Sequence, residues 1–304
     1  MSLRPVRKIR YNRAETRAAW ILLVPSVIGL TCITYLPMLA SFTLSLFSWN
    51  GLGEMKYIGL ENYIRLFTRD TKFYDSLLVT LEYAGMSVLG SIVYSMIVAM
   101  LLNRKVPARG FFRAVFYLPY VLPALAVYLG WKWLYDFNHG FFNYLVKLTG
   151  GTSVKFLDSS TLVAPSLALI AVWLSGNLIV IFLAGLQNVP RTYHEAAEID
   201  GANAWQRFWG ITIPCMTPII FYNLLMSLVS NLQVITPALS LTRGGPGTGS
   251  YFMCYMLYTQ AFKSHKYGYG SAIAVILFIL IAILTGILFA TSNGWIFYEG
   301  DDRE

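Results

Sequence analysis

Six long apolar stretches dominate this chain of 304 residues and leave few folds open to it. They cover residues 19–47, 76–102, 112–135, 162–186, 213–239 and 268–291. A helix needs about 20 mostly apolar residues to cross a hydrocarbon core of about 30 Å, and each stretch is long enough. Composition agrees, because 56% of the residues are hydrophobic and only 12% are charged, whereas soluble domains hold about 25% charged residues. The sequence therefore predicts an all-α integral membrane protein with six transmembrane helices.

Basic residues near the ends of the stretches predict the orientation of the chain. Lys and Arg bias a loop to the cytoplasm, and they crowd the tail at residues 1–18 and the loop after the second stretch. The first outer loop also holds Lys56, Arg65, Arg69 and Lys72, but the short basic loops are the stronger signal. Six spans return the tail at residues 292–304 to the starting side. We therefore expect both termini, and the polar loop at residues 187–212, on the cytoplasmic side of the cell (inner) membrane.

The net charge of +8 raises the question of nucleic acid as a partner. Binding nucleic acid takes a basic patch on a water-facing domain, and the apolar stretches leave no room for such a domain. The basic tail is better explained as a topology determinant that can also contact anionic membrane lipid. We therefore expect membrane lipid, and no nucleic acid, among the partners.

Several kinds of chemical site are not indicated. Cys32, Cys215 and Cys254 lie far apart and the three histidines are scattered, so neither a metal site nor a disulfide framework is predicted. The glycine-rich run at residues 244–249 lacks the Lys-Ser/Thr pair that holds phosphate and magnesium. No paired carboxylates or nucleophile triad stand out either. We expect a subunit that is not an enzyme and holds no cofactor of its own.

The polar loop between the fourth and fifth stretches predicts two short helices joined by a turn. Thr192 and Glu195 have the spacing of a capping box, which predicts a helix starting near Tyr193. Gly201 suits the left-handed residue that ends such a helix. Asn203 and Gln206 repeat the capping spacing, so a second short helix should run toward Ile213.

Within this loop, Glu195-Ala196-Ala197, three residues, Gly201, nine residues and Ile211-x-x-Pro214 form one pattern. It resembles the signature of permease subunits of binding-protein-dependent ABC importers, with Ile213 where the signature has Leu. The resemblance implies a type I ABC importer permease fold, whose short helix lies in a groove of a separate ATPase. It assigns the coupling role to Glu195, Ala196, Ala197, Asp200, Gly201, Ala202 and Pro214.

The resemblance also implies a set of partners. In that family a second, similar permease completes a heterodimer around a shared path. Two ATPase subunits, which hold ATP and magnesium, lie on the cytoplasmic side. An extracellular or periplasmic solute-binding protein delivers the solute on the other side.

The resemblance extends over residues 76–291 and is closest to the carbohydrate-importer branch. The runs at residues 109–119, 233–247 and 267–272 are similar to sugar and glycerol-phosphate permeases of the maltose-transporter type, in particular the maltose permease F subunit and the glycerol-3-phosphate permease A subunit. The chain lacks the extra N-terminal spans and large outer domain of the maltose protein. The resemblance implies a sugar or oligosaccharide as the solute.

Polar residues inside the apolar stretches are candidates for the solute path, because they are expensive in a membrane. Asn223, Ser227, Ser230 and Asn231 recur at helical steps in the fifth stretch, and the resemblance places a sugar contact near Gln233. The predicted pathway residues are Gln233, Asn231, Asn177, Asn223, Ser227 and Trp173. The alternative for each polar residue is a hydrogen bond between helices, worth about 0.6–2 kcal/mol.

Two further expectations follow from the remaining segments. Glu82 is an acid well inside a span, which makes an ion-gradient-driven secondary transporter the alternative function, although proton coupling usually needs further intramembrane partners. The outer loop at residues 237–266 is rich in glycines and aromatic residues. We expect it to be a flexible surface that touches the solute-delivering protein.

Overall fold

The computed structural model describes residues 13–104, 107–292 and 294–297, and these are largely helical. In chain order the helices are α1 (Arg13–Leu30), α2 (Leu36–Leu44), α3 (Glu61–Thr68), α4 (Thr71–Asn103), α5 (Arg109–Val121), α6 (Ala124–Leu134), α7 (Phe141–Leu148), α8 (Val163–Trp173), α9 (Gly176–Asn188), α10 (Arg191–Ile199), α11 (Ala204–Arg207), α12 (Ile213–Leu232), α13 (Met253–Tyr258) and α14 (Tyr267–Ser292). π-helical turns lie at Thr31–Tyr35, Phe208–Thr212, Ala238–Thr242 and Thr259–Lys263. Strands β1 (Phe47–Ser48) and β2 (Lys56–Tyr57) form one antiparallel pair.

The helices confirm an all-α membrane protein. Four continuous helical runs are long and apolar enough to cross a membrane: Thr16–Leu44, Thr71–Asn103, Ala204–Leu232 and Tyr267–Ser292. Two bent pairs, α5 with α6 and α8 with α9, bring the total to six if each pair is one span. Residues 1–12 and 298–304, which hold most of the two predicted tails, lie outside the described residues.

The third and fourth apolar stretches are broken helices, although the sequence predicted a single helix for each. The axes of α5 and α6 differ by 98°, and those of α8 and α9 by 48°. Pro123 explains the first break, because a proline forces the preceding residue out of the helical conformation, and Leu122 is extended with φ −67° and ψ 145°. The second break falls at Ser175, whose hydroxyl donates to the carbonyl oxygen of Val172 at 2.7 Å.

The second short helix runs toward Ile213, as predicted, and continues without a break into the fifth span. A π-helical turn joins α11 to α12, and the amide of Ile213 donates to the carbonyl oxygen of Phe208, five residues earlier. Pro214 follows this turn and lacks an amide hydrogen, so the wider turn accommodates a position where a regular helical bond is impossible. The span ends at Leu232, seven residues before the predicted end at residue 239.

Helix α4 is the centre of the bundle and packs against α8, α9 and α12. Small residues line its buried faces and let the neighbouring helices approach closely. A Cβ atom added at Gly90 would lie 2.6 Å from Cγ2 of Val172. The hydroxyls of Ser95 and Ser175 lie 2.9 Å apart, so α4 is also hydrogen-bonded to the break between α8 and α9.

The outer loop at residues 237–266 is largely a packed insert, and the expectation of a flexible surface is wrong for its central part. Phe252, Met253 and Met256 are fully buried. The amide of Met253 donates to Oγ1 of Thr80 in α4 at 2.9 Å, and the ring of Phe252 packs against that of Tyr83. Only the far end of the loop, residues 262–266, is continuously exposed.

The first span stands apart from the rest of the bundle. None of the most apolar window within Thr16–Leu44 is buried inside this subunit. It contacts the bundle near its C-terminal end, where the ring of Phe42 meets that of Phe278 in α14. The apolar window of this span is therefore exposed to lipid or to another polypeptide.

Candidate functional site

A polar cavity of about 550 Å³ lies where the helix breaks converge. Its wall includes Tyr120 and Leu122 at the break between α5 and α6, Ser175 at the break between α8 and α9, and Gln233 at the end of α12. Irregular backbone is tolerated at membrane depth where it lines a water-filled cavity. The break between α5 and α6, the break between α8 and α9 and the end of α12 are tolerated for the same reason, because all three face this cavity.

Most of the predicted pathway residues lie in the wall of this cavity. Asn177, Asn223, Ser227, Asn231 and Gln233 all line it. Trp173 does not, because its indole packs edge-on against Trp131. Four tyrosines of the wall were not predicted, although an aromatic face with a hydroxyl tip suits a polar cavity: Tyr83, Tyr120, Tyr128 and Tyr222.

The polar residues of α12 line the cavity at different depths. Asn223 and Ser227 are buried, and the side-chain amide of Asn231 donates to the carbonyl oxygen of Ser227 at 2.8 Å and to its hydroxyl at 3.2 Å. Ser230 and Gln233 are exposed on the open side. The four residues that the sequence predicted on one face, Asn223, Ser227, Ser230 and Asn231, thus all line the same cavity, and Ser230 lies at its open edge.

The electrostatic character of the wall is uniform. Among the described residues that line the cavity, none is Asp, Glu, Lys, Arg or His. Amide and hydroxyl groups supply its polarity, and Nδ2 of Asn223 is buried without a hydrogen-bond partner in the described part of the chain. Glu82 is exposed on α4 and lies outside this wall. The cavity can thus hydrogen-bond a neutral polar group but offers no fixed charge.

The helical run Ala204–Leu232 reaches the cavity at its C-terminal end. At its N-terminal end lies a pair of short helices, α10 and α11, which we call the α10–α11 hairpin (residues 190–207). The predicted capping box at Thr192 and Glu195 is wrong, because α10 already begins at Arg191, with Pro190 before it and no side-chain cap. Thr192 is therefore inside the first turn, where its hydroxyl cannot cap the helix start.

The turn of the hairpin follows the prediction for Gly201. This residue has φ +78°, and an added Cβ atom would meet nothing within 4 Å. The amide of Gly201 donates to the carbonyl oxygen of Glu198 at 3.0 Å, and that of Ala202 to Ala197 at 2.8 Å. These two bonds form a Schellman motif, which ends a helix at a left-handed glycine. Asn203 and Gln206 then form the predicted capping box, with bonds of 2.9 and 2.8 Å.

An ion pair between Glu198 and Arg207 closes the hairpin. It joins α10 to the base of the run that continues into α12. The pair crosses a turn at a spacing of nine residues, which follows no helical or strand period, so the sequence offered no signal for it.

The hairpin presents an unusually exposed surface. Ile199 and Trp205 of the hairpin expose 87% and 68% of their surface, and Trp209, in the π-helical turn that follows, exposes 53%. Of the predicted coupling residues, Glu195, Ala196, Asp200 and Gly201 are exposed, whereas Ala197, Ala202 and Pro214 are half-buried. Large apolar side chains exposed together are typical of a surface that another protein covers.

Known proteins share both the sequence and the fold. Residues 91–296 match the family model described as binding-protein-dependent transport system inner membrane component. The probable ABC transporter permease protein YesP of Bacillus subtilis is 36% identical over 302 residues, which cover 98% of this chain and 97% of that protein. The multiple sugar-binding transport system permease protein MsmF of Streptococcus mutans is 36% identical, with 88% and 92% covered.

A solved structure supports the fold independently. A chain of a bacterial alginate ABC transporter, in complex with an alginate pentasaccharide-bound periplasmic protein, superposes with a TM-score of 0.80. The match covers 92% of this chain and 95% of that one at 21% identity. The matched family model spans more than half of the chain, and it includes the cavity-lining part of α12 and the α10–α11 hairpin. The chain therefore belongs to the family of binding-protein-dependent transport system inner membrane components, the permease subunits of ABC importers.

Proposed function

We propose that this permease forms one half of a path for a sugar or oligosaccharide, and that the α10–α11 hairpin couples it to a separate ATPase. The observation that carries the proposal is one continuous helical run, Ala204–Leu232. It begins at the hairpin and ends beside Gln233 in the cavity wall. Its 29 residues extend about 43 Å at 1.5 Å per residue. A displacement of the hairpin is thereby passed to the cavity.

The chemistry of the wall supports a sugar as the solute. Amide side chains donate and accept hydrogen bonds at once, which suits the hydroxyls of a saccharide. The faces of Tyr120 and Tyr222, which are about half exposed, suit the apolar face of a pyranose. The names of two relatives point the same way: MsmF, and the trehalose/maltose transport system permease protein MalF of Thermococcus litoralis, which is 28% identical over 280 residues.

A second, similar permease completes the path in this proposal. The cavity of this subunit is open on the side of Tyr222, Met226, Ser230 and Gln233, all of which are exposed. A half-open polar cavity inside a membrane needs another polypeptide to separate it from lipid. The heterodimer partner supplies that second wall.

The other partners follow from the two ends of the molecule. On the cytoplasmic side, an ATPase covers Ile199, Trp205 and the small residues of the hairpin, and it holds the ATP and magnesium while this subunit does no chemistry. In this proposal both termini also lie on the cytoplasmic side. On the outer side, an extracellular or periplasmic solute-binding protein docks near the exposed residues 262–266.

The test compares two glycines with the same backbone conformation. Gly201 and Gly150 have φ +78° and +82°, and neither would bring an added Cβ atom within 4 Å of a neighbour. Gly201 lies in the hairpin, whereas Gly150 lies in the turn after α7 between the third and fourth spans. Each is replaced by Asp, and the assembled importer is purified and reconstituted with its binding protein.

Uptake of labelled oligosaccharides and ATP hydrolysis are then measured on the same vesicles. We expect Gly201→Asp to lower the solute moved per ATP, and Gly150→Asp to match the wild type. Equal uptake per ATP in both variants, at equal abundance, would remove the coupling role of the hairpin.

A further inference from the structure

A pair of arginines at the hairpin end of the bundle has no carboxylate partner in the described part of the chain. Arg109 and Arg113 lie one turn apart at the start of α5. Nε of Arg109 donates to the carbonyl oxygen of Leu102 at 2.6 Å, and its Nη2 lies 3.5 Å from Oδ1 of Asn103. The ion pairs found among the described residues use Glu61, Asp136 and Glu198 instead.

Gln187 brings the two guanidinium groups together. Oriented by its hydrogen-bonding surroundings, its amide oxygen accepts from Nη2 of Arg109 at 3.1 Å and from Nη2 of Arg113 at 2.9 Å. A neutral amide holds the two cations side by side but does not neutralise them. Nε of Arg113 is buried and has no hydrogen-bond partner within the described residues. Two guanidinium charges held together without a carboxylate among the described residues favour an anion from outside the chain.

A groove of about 190 Å³ runs from this cluster along the surface of the bundle, between α5 and α9. Arg113 and Gln187 lie at its polar end, and the rest of the wall is apolar, with Tyr117, Val180 and Leu183. The side chains of Tyr117 and Val180 are 39% and 48% exposed. None of the residues that line this groove lines the large polar cavity, so the groove is a separate site on the surface of the bundle.

We propose that this groove binds an anionic phospholipid, with the phosphate on Arg109 and Arg113 and an acyl chain along the apolar wall. Planar guanidinium groups bind phosphate through paired N–H donors, and basic pockets between transmembrane helices on the cytoplasmic side hold anionic headgroups. The apolar wall favours a lipid, because neither a free phosphate nor an acidic protein side chain has an acyl chain to cover it. Because Gln187 is the second residue from the end of α9 and the hairpin follows at once, the lipid stabilises the point where the hairpin joins the bundle.

The test measures lipid retention by the assembled importer, purified through a tag on this chain, using native mass spectrometry. The probes are phosphatidylglycerol, phosphatidylcholine and glycerol phosphate without acyl chains. We expect selective retention of phosphatidylglycerol, weakened about fivefold by each of Arg109→Gln and Arg113→Gln, which is the equivalent of about 1 kcal/mol per basic residue. Ala184→Phe, which fills the groove without changing the charge, should also lose the lipid.

Two variants control for folding and for net charge. Arg113→Lys keeps the charge and should retain part of the lipid at an unchanged melting temperature. Lys155→Gln removes one exposed positive charge elsewhere and should bind lipid as the wild type does. Equal retention of phosphatidylcholine, or full competition by glycerol phosphate, would overturn the proposal. So would loss of the second permease, instead of lipid, from the arginine variants.

Discussion

Glu198 and Arg207 form an ion pair that ties α10 to the base of the helix that ends in the cavity. The Arg207 side chain is 22% exposed and the Glu198 side chain 60% exposed, so solvent limits its contribution to stability to roughly 0.2–1 kcal/mol. Its value is geometric, because it fixes the direction of α10 relative to the long run Ala204–Leu232. In the coupling mechanism proposed above, a force on α10 would be passed through this pair to the base of that run.

We therefore predict that Arg207→Gln lowers uptake per ATP while the melting temperature changes by no more than a surface ion pair allows. The amide keeps a polar side chain but cannot hold the carboxylate of Glu198. Reversing the pair, with Glu198→Arg and Arg207→Glu together, should recover part of the loss, whereas each reversal alone should not. The readout is the ratio of uptake to ATP hydrolysis in proteoliposomes. If the two single reversals and the double reversal all give the same ratio, the pair has no geometric role.

The cavity wall predicts a change in apparent affinity for Gln233→Ala. Gln233 is exposed at the end of α12 and lines the cavity, so its loss removes one hydrogen bond to the solute, worth about 1 kcal/mol or roughly a fivefold increase in KM. Asn138→Ala is the matched control, because this exposed amide lies outside the cavity. Uptake kinetics at several solute concentrations measure both. Identical KM values for the two variants would take Gln233 out of the path.

Helix capping in the hairpin predicts losses of stability that differ in size for two similar substitutions. Asn203→Ala should destabilise the start of the long helix by about 1 kcal/mol, because it removes an observed side-chain cap. Thr192→Ala should cost much less, since α10 has no side-chain cap to lose. Hydrogen exchange at residues 204–212 reports on the Asn203 cap, and exchange at residues 191–199 reports on the start of α10. Faster exchange in both variants, or in neither, would contradict the capping assignment.

Glu82 separates an ATP-driven permease from the ion-gradient alternative. It lies outside the cavity wall on an exposed part of α4, so Glu82→Gln should leave solute uptake and its response to ATP unchanged. Transport in vesicles with an imposed proton gradient and no ATP gives the comparison. Gradient-driven uptake that disappears in the variant would instead support a secondary transporter.

Hydropathy predicted where the chain crosses the membrane but not where the crossings break. The stretch at residues 76–102 corresponds to α4 because nothing in it interrupts a helix. The third stretch contains Pro123, but a proline inside a span can either kink a helix slightly or end it. The sequence alone does not distinguish these outcomes, and in the fold the axes of α5 and α6 differ by 98°. The break at Ser175 has no proline and depends on its contact with Ser95 in a distant helix.

Local signals in the hairpin were reliable where the backbone alone determines the outcome. Gly201 has the left-handed conformation that the Schellman motif requires, and Asn203 caps α11. The capping prediction for Thr192 failed because α10 begins at Arg191, after Pro190, two positions earlier than the capping spacing implied. Trp173 was misplaced because an aromatic residue beside polar neighbours can turn either way, and here Trp131 supplies a packing partner outside the cavity.

The uncharged wall around Asn223 and Gln233 has a thermodynamic consequence. Its amides and hydroxyls do not change protonation between about pH 5 and 8, so this half of the cavity holds a neutral solute equally well against acidic and neutral surroundings. A site of that kind has no preferred direction of flow by itself. Vectorial movement must come from the order in which the cavity opens to either side, and that order is set by work done on the protein elsewhere.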